Sequence, residues 1–284
     1  MPRPERVVII ANPDKPRALD LAKGAAETVR RLGANVFLSH RRDDDLAQFQ
    51  AQMAVVFGGD GTVLAAVSRL GATPPDIVAF NLGHLGYLAE NPPDQVGEII
   101  REALDGELPV SRRMMIEAEV DDGHAVRTDY ALNEFVLAYR HNGRQLPMSV
   151  RVDGEDLMSL RGDGVIIATP TGSTAYSLSA GGPVTSPELA AIILTPLCPH
   201  QLANRSLVLN PREAVSVAHH GDGRVEVMAD GRGCFELERD QEMTVRLSGR
   251  QVRFLYRYRG RYRLLREKLG WGWSGIDERH KHDC

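Results

Sequence analysis

In the first third of the chain, short apolar runs alternate with a helical spacing of apolar residues. Continuous apolar runs at 7–10, 36–38, 54–57 and 77–80 are typical of strands buried on both faces. Between the first two runs, apolar residues recur at helical spacing from Leu19 to Val29, and Gly33 follows as a stop signal. A second helix is predicted over 96–104. Strands alternating with helices predict a parallel, Rossmann-like α/β domain.

From Ser111 onward the pattern changes to short alternating runs separated by turn residues. Such runs occur at 115–120, 131–139, 150–152, 165–167, 215–217, 225–227 and 245–247. This spacing predicts an all-β, sandwich-like domain built of hairpins. We therefore expect an N-terminal α/β domain over 1–110 and a C-terminal all-β domain over 111–261. Residues 262–269 have a helical pattern, and we expect the segment 262–284 to pack back on the first domain.

Composition and charge limit the class of protein. The chain has 284 residues, of which 43% are hydrophobic and 25% charged, and its net charge is −4. These values are ordinary for a globular protein and give no sign of a nucleic-acid or membrane partner. Three widely spaced cysteines form no disulfide framework, and no stretch approaches the roughly 20 apolar residues of a membrane helix. The sequence predicts a soluble, cytoplasmic protein.

Gly58, Gly59, Asp60, Gly61 and Thr62 form a turn between a predicted strand and a predicted helix. Closely spaced glycines let backbone N–H groups approach a phosphate, and the helix directs its partially positive end to the same place. A carboxylate is unexpected if the loop only holds an anion. Asp60 therefore indicates chemistry on, or a hydrogen bond to, a hydroxyl beside the phosphates. Because the chain contains no Gly-Lys dipeptide, it has no Walker A loop.

A second polar loop follows the apolar run at 165–168. Segment 169–179 reads Thr-Pro-Thr-Gly-Ser-Thr-Ala-Tyr-Ser-Leu-Ser and precedes Ala-Gly-Gly-Pro. Its hydroxyl groups can bond the oxygens of a sugar or phosphate, and Tyr176 offers an aromatic face to a base or nicotinamide ring. We interpret this segment as a binding loop rather than a polar surface loop.

Taken together, these motifs resemble the NAD kinase family. The chain has the family's Gly-Gly-Asp-Gly-Thr at 58–62 and an Asn-x-Gly-x-Leu-Gly-aromatic motif at 81–87. It also has Asn-Glu at 133–134, Asp-Gly at 163–164, and the loop at 169–183, all in the family's order. Tyr87 stands where the family usually has phenylalanine. The first loop also resembles those of lipid kinases and phosphofructokinases, whereas its combination with the second loop is specific.

The resemblance implies transfer of the ATP γ-phosphoryl group to the 2′-hydroxyl of the adenosine ribose of NAD, giving NADP. It implies Asp60 as base or hydroxyl-orienting group, the backbone at 58–62 as phosphate holder, and Mg²⁺ with the nucleotide. It also implies a homodimer or homotetramer, in which Asp163 reaches the nicotinamide end, often from a neighbouring subunit. The residues expected to bind NAD are Asn81, Tyr87, Asn133, Glu134, Arg161, Asp163, Thr171, Thr174, Ala175, Tyr176 and Ser179.

Other interpretations compete with this one. A lipid or sugar kinase would share the first loop and leave the second unexplained, and a non-catalytic NAD-binding regulator would not need Asp60. From the residues alone, Asn133 and Glu134 also fit a strand surface, and Asp163 fits a turn. His200, next to a proline, is expected to be structural. The pair His219 and His220 is expected at a solvated strand end.

Overall fold

The structure, a computed structural model, describes residues 3–71, 73–83, 86–121, 123–138, 146–201, 203–257 and 261–270. The chain divides into two compact units. The first consists of the described residues of Met1–Arg69, Pro75–Val110 and Phe254–Cys284, and the second of those of Leu70–Pro74 and Ser111–Arg253. No helix within these described ranges is long and apolar enough to cross a membrane.

The first unit is a parallel α/β structure. Its strands lie in the order β2-β1-β3-β4, and all their pairings are parallel. At the end of β16, Phe254 adds a parallel pairing with Ile77. The elements are β1 (Arg6–Ala11), α1 (Pro16–Arg31), β2 (Asn35–Ser39), β3 (Met53–Gly58), α2 (Asp60–Arg69), β4 (Asp76–Asn81), α3 (Val96–Asp105) and α5 (Arg261–Leu269).

The apolar runs become strands of the first unit because both faces of its sheet are covered. Every residue of β3 is buried, and in β1 only Arg6 is exposed. Helix α1 buries a stripe of alanines with Val29, and Gly33 follows the helix with φ +90°, a conformation that glycine adopts without strain. The predicted α/β order is confirmed, and so is the helix predicted near residue 262.

The parallel register places the carboxyl ends of three strands side by side. Ala11 pairs with Phe57, and Gly58 pairs with Asn81. The loops that follow β1, β3 and β4 therefore leave the same edge of the sheet, which is where ligands bind in open α/β sheets. This edge carries the first predicted site.

The second unit consists of two β-sheets. One sheet has the order β16-β13-β8-β9, with β5 pairing β16 and β6; the other has the order β12-β11-β10-β7-β14-β15. Their strands are β5 (Val110–Asp121), β6 (Val126–Ala131), β7 (Glu134–Ala138), β8 (Leu146–Val152), β9 (Glu155–Gly162), β10 (Gly164–Ala168), β11 (Ile192–Leu197), β12 (Leu207–Leu209), β13 (Val215–His219), β14 (Val225–Ala229), β15 (Arg232–Leu237) and β16 (Glu242–Leu255).

The core of the second unit lies between these two sheets. Met148 and Val217 from the first sheet share one buried cluster with Phe135, Val165 and Ile192 from the second. The predicted all-β, sandwich-like architecture is confirmed. The sequence pattern missed β6, β9, β12 and β15, whose side chains are largely exposed or half-buried, and it also missed β11, whose residues are all buried.

Candidate functional site

The loop at 58–62 joins β3 to α2 at the carboxyl edge of the first unit. Gly58 ends the strand, and Asp60 begins the helix. The Thr62 hydroxyl accepts a hydrogen bond from the Asn12 amide at 2.9 Å and another from the Gly59 N–H at 3.3 Å. These bonds hold the loop against the end of β1. The loop thus has a fixed shape, and the partially positive end of α2 lies beside it.

The Asp60 carboxylate accepts three consecutive backbone N–H groups. Oδ2 accepts the N–H of Tyr87 at 2.8 Å, and Oδ1 accepts those of Leu88 at 3.0 Å and Ala89 at 3.2 Å. A Cβ atom at Gly86 would overlap the same carboxylate, so only glycine permits this approach. Asp60 therefore links the glycine-rich loop to the segment 86–89.

A cavity of about 440 Å³ opens beside this loop within the first unit. Four of its lining side chains are basic and one is acidic: Lys15, Arg41, Arg42, Arg69 and Asp14. Asn12, Gly59, Gly61 and Thr62 also line it. The excess of positive charge next to the loop suits a polyanion such as a nucleoside triphosphate.

Local hydrogen bonds hold these basic side chains in place. Lys15 Nζ donates to the Leu82 carbonyl at 3.2 Å. Arg69 donates to the backbone carbonyls of Arg41 at 3.1 Å and Asp44 at 2.7 Å. The segment 41–44 is thereby tied to α2, so the cavity wall is fixed by the protein itself.

Asn81 and Tyr87 lie on the segment that follows β4. The Asn81 side-chain oxygen accepts the Gly83 N–H at 3.0 Å, which shapes the turn after the strand. Burial, with a smaller contribution from the negative charge of Asp60, raises the pKa of Tyr87. Its hydroxyl therefore stays protonated at neutral pH and can donate a hydrogen bond. His84 and Leu85 of the same motif lie outside the described residues.

In the second unit, the turn before β7 lies directly against the second loop. The Thr169 hydroxyl donates to the Leu132 carbonyl at 2.6 Å, and the Thr169 N–H donates to the Asn133 carbonyl at 2.8 Å. A Cβ atom at Gly172 would overlap that Asn133 carbonyl. The turn and the loop are therefore packed as one cluster, as their shared role in the predicted site requires.

Three buried polar atoms of this cluster have no hydrogen-bond partner among the described residues. They are Oδ1 of Asn133, Oε2 of Glu134 and Oγ1 of Thr171. The three residues expose only 7%, 6% and 5% of their surface, respectively. Buried polar atoms are nearly always paired, because an unpaired one costs about 1–3 kcal/mol. Because the three atoms lie in one cluster, they indicate a ligand-binding site.

Glu134 is buried beside a second carboxyl group, and this environment favours the protonated form of its own carboxyl group. Burial, and then the neighbouring negative charge of Asp230, raise its pKa to about 8, while a hydrogen bond from the Tyr176 backbone opposes the shift. A neutral carboxyl group has one O–H donor as well as acceptor oxygens. Glu134 can therefore both donate to and accept from a bound hydroxyl or base.

The remainder of the second loop divides into internal and accessible residues. A short 3-10 turn spans Gly172–Thr174 and a short helix, α4, spans Tyr176–Ser179. The Ser173 hydroxyl donates to the Pro170 carbonyl at 2.7 Å, and the Ser177 hydroxyl pairs with that of Thr195 at 2.9 Å. These two hydroxyls hold the loop and are not free for a ligand.

The accessible residues of this loop lie around the short helix. Tyr176 is 45% exposed, Ser179 is also exposed, and Thr174 and Ala175 are half-buried. These four residues were all predicted to bind NAD. Of the four, Tyr176 contacts the Asn133–Glu134 turn directly, through the hydrogen bond from its backbone to the Glu134 carboxyl group.

Arg161 and Asp163 lie at the opposite end of the β7–β10 pair. Ala168 pairs with Glu134 at one end, and Gly164 pairs with Ala138 at the other. Four residues of extended strand separate these ends by about 13 Å. The Arg161 carbonyl accepts the His200 N–H at 2.8 Å. Asp163 is hydrogen-bonded to the thiol of Cys198, and this bond raises the pKa of the thiol. Within one chain, these residues are not part of the Asn133–Glu134 cluster.

The prediction of a solvated strand end holds for His220, which is exposed directly after β13, and is wrong for His219. His219 is completely buried in the second unit. His220 is held between Ser149 at 2.8 Å and Asp240 at 2.6 Å. In the parts of the chain that the structure describes, no group of three or more His, Cys, Asp or Glu side chains is placed to hold a metal ion.

Two contributors to these clusters were missed by sequence reasoning. Lys15 lines the cavity of the first unit, and Asp230 hydrogen-bonds the turn at 132–134. Lys15 had a weak signal, since it follows the first predicted strand by a few residues. The sequence contains no signal for Asp230, because an Asp-Gly pair is typical of an ordinary hairpin turn.

Both parts of the chain match models of one protein family. Residues 40–108 match the ATP-NAD kinase N-terminal domain, and residues 132–256 match the ATP-NAD kinase C-terminal domain. The NAD kinase of Nitrosomonas europaea is 36% identical over 229 residues, which cover 80% of this chain and 77% of that protein.

Two solved structures extend the comparison to the fold. Yeast NADH kinase complexed with NADH has a TM-score of 0.87 at 25% identity, covering 95% of this chain and 89% of that one. An NAD kinase from Archaeoglobus fulgidus in complex with ATP has a TM-score of 0.76 at 26% identity, covering 93% and 97% of the two chains, respectively.

Proposed function

The chain belongs to the NAD kinase family and is therefore a kinase that phosphorylates NAD, and we propose which of its residues hold the substrates. ATP donates its γ-phosphoryl group to the 2′-hydroxyl of the adenosine ribose of NAD, and NADP is formed. The first unit binds ATP and the second binds NAD. The observation that carries this assignment is the set of unpaired buried atoms on Asn133, Glu134 and Thr171.

The donor binds at the carboxyl edge of the first unit. The backbone of Gly58, Gly59, Gly61 and Thr62 holds phosphate oxygens, and Lys15 and the arginines of the cavity neutralise the rest of the triphosphate. Phosphoryl transfer depends mainly on positioning and on charge neutralisation. Mg²⁺ enters with the ATP phosphates as Mg·ATP, since this ion commonly binds through phosphates and only one or two carboxylates.

The acceptor's adenosine binds at the cluster in the second unit. Asn133 and Glu134 hydrogen-bond its base and ribose, and Thr171 supplies a further hydroxyl. Thr174, Ala175, Tyr176 and Ser179 line the rest of this site. Asn81 and Tyr87, on the segment 81–87 of the first unit, are the further residues that we propose to contact NAD. The neutral carboxyl of Glu134 matches a sugar hydroxyl, which both donates and accepts.

Asp60 orients the 2′-hydroxyl and takes its proton. Oδ1 already accepts two N–H groups, whereas Oδ2 accepts one. Since a carboxylate oxygen offers about two acceptor positions, Oδ2 keeps one for the hydroxyl. The three backbone bonds hold that position still, as general-base catalysis requires.

The remaining assignments concern assembly and location. Asp163 and Arg161 contact the nicotinamide end of NAD bound to a neighbouring subunit of a homodimer or homotetramer, and the enzyme acts in the cytoplasm.

The decisive experiment supplies the purified protein with NAD, ATP and Mg²⁺ and detects NADP with an NADP-specific dehydrogenase. NADP should accumulate, and a lipid or sugar kinase would instead form none. A panel comparing ATP with inorganic polyphosphate then identifies the donor. Folded protein that forms no NADP with either donor would overturn the proposal.

A further inference from the structure

Asp230 is bonded to the turn at 132–134 by three hydrogen bonds. Its Oδ1 accepts the N–H of Asn133 at 2.7 Å and that of Glu134 at 3.1 Å, and its Oδ2 accepts the N–H of Leu132 at 2.8 Å. A fourth bond runs the other way, from the Asp230 N–H to the Glu134 carbonyl at 3.0 Å. One side chain thus fixes three consecutive peptide groups.

The turn that carries Asp230 does not need this carboxylate to form. Asp153 and Gly154 make a turn of the same kind, with φ values of +48° and +83°, against +48° and +81° for Asp230 and Gly231. The Asp153 carboxylate is exposed and accepts the single N–H of Ala214 at 2.8 Å. The three bonds of Asp230 are therefore an addition to an ordinary Asp-Gly turn.

Burial raises the pKa of Asp230, whereas its bonds to the turn and the positive charge of Arg232 oppose the shift. The nearby Arg232 forms a bidentate pair with Asp129, one of whose bonds is 2.8 Å long. The hydrogen bonds that Asp230 accepts come from the backbone of the turn. The negative charge of Asp230 lies near the Glu134 carboxyl group, which also accepts a hydrogen bond from the backbone of Tyr176.

We propose that Asp230 is the positioning residue that holds the turn at 132–134 in the form that binds the adenosine part of NAD. The three bonds set the direction in which the Asn133 and Glu134 side chains leave the backbone, and these side chains carry two of the unpaired buried atoms. Burial, and then the negative charge of Asp230, raise the pKa of Glu134. The inference rests on the proposed function of this cluster.

The test compares Asp230→Asn with Asp153→Asn in the full-length protein. An asparagine side chain has one acceptor oxygen, and its NH₂ group would face an N–H of the turn. Asp230→Asn should raise the KM for NAD 10- to 100-fold and leave the KM for ATP and the kcat within about threefold. Asp153→Asn should leave all three constants within about twofold.

Two further readouts separate positioning from general stability. Amide hydrogen exchange of peptides covering 132–138 should accelerate in Asp230→Asn and not in Asp153→Asn. The alkaline limb of kcat/KM for NAD should move to lower pH in Asp230→Asn, because Glu134 then loses the negative neighbour that holds its proton. Asp230→Glu has a longer side chain, so it should raise the KM for NAD. Because it keeps the negative charge, the alkaline limb of the kcat/KM profile should stay at the same pH.

The outcomes distinguish the inference from the function on which it rests. An NAD KM within twofold of the parent, or equal rises in the KM for NAD and for ATP, would overturn the role of Asp230. If Asp230→Asn does not fold, Asp230→Glu decides by the same comparison of the two KM values. If the parent forms no NADP, the kinase assignment fails, and calorimetry of NAD binding to the parent and the variants still tests the positioning.

Discussion

The carboxylate of Asp60 accepts the backbone N–H of Tyr87 at 2.8 Å, so the residue proposed to act on the acceptor hydroxyl also fixes a residue proposed to bind the acceptor. With the bonds to Leu88 and Ala89, Asp60 restrains three consecutive peptide groups. A substitution of Asp60 therefore changes both chemistry and local structure, and its effects on the two must be measured separately.

Asp60→Asn should lower kcat by a factor of about 10²–10⁴, because an amide cannot accept the proton. It should also lower the free energy of unfolding by about 1–3 kcal/mol, since the amide NH₂ opposes an N–H of the segment 87–89. Steady-state kinetics and urea unfolding measure the two effects. A stability loss with kcat within a few-fold of the parent would leave Asp60 a structural role alone.

Lys15→Met should raise the KM for ATP about 10-fold, which corresponds to about 1.4 kcal/mol of binding free energy. The reason is the loss of a fixed ammonium group from the cavity wall. The KM for NAD should stay within about twofold. Lys23→Met, at an exposed position on α1, is the matched control. Equal effects of the two substitutions on the KM for ATP would show that the cavity is not part of the donor site.

The stability of the ligand-free protein should depend on the proton of Glu134. Its pKa is about 8 in the folded protein and about 4.5 ordinarily. Between these pH values the folded state keeps a proton that the unfolded state has lost. The free energy of unfolding therefore falls as pH rises through this interval, by about 3–5 kcal/mol from this group.

Glu134→Gln should remove that part of the pH dependence. Urea unfolding of parent and variant at a series of pH values from 4 to 9 measures the difference. The curves should converge at low pH and separate above about pH 5, with the variant the more stable. Parallel curves over the whole range would show that Glu134 is ionised in the folded protein.

Gly172→Ala should destabilise the second unit by about 1–3 kcal/mol, because the new methyl group would overlap the Asn133 carbonyl. The displaced turn should also raise the KM for NAD several-fold. Gly249→Ala is the control, since a Cβ atom there meets nothing within 4 Å. Melting temperatures and NAD kinetics check both effects. A Gly172→Ala protein that matches the control would show that the loop and the turn are not in close contact.

The elements of the first unit could be predicted because burial on both faces of the sheet leaves a continuous apolar run in the sequence. The glycine-rich loop could be located by its place after such a run. The polar strands β9 and β15 leave no such trace. The direction of the Ser173 and Ser177 hydroxyls, which hold the second loop, also depends on contacts that no local pattern records.

Asp230 shows most clearly why part of the site stayed hidden. It lies 97 residues from Asn133 along the chain, and its own Asp-Gly sequence is the same as that of Asp153 and Gly154. The two Asp-Gly pairs form turns of the same kind. Only the tertiary structure decides that one carboxylate faces solvent and the other faces three peptide groups.

The unpaired atoms of Asn133, Glu134 and Thr171 have a consequence for discrimination between ligands. The protein itself leaves these buried atoms without a hydrogen-bond partner among the described residues, so a ligand with matching donors and acceptors supplies the missing bonds. A ligand without those groups leaves the atoms unpaired, at about 1–3 kcal/mol for each. Such a site therefore discriminates against a nucleotide that lacks one complementary group more strongly than against one that is a little too small.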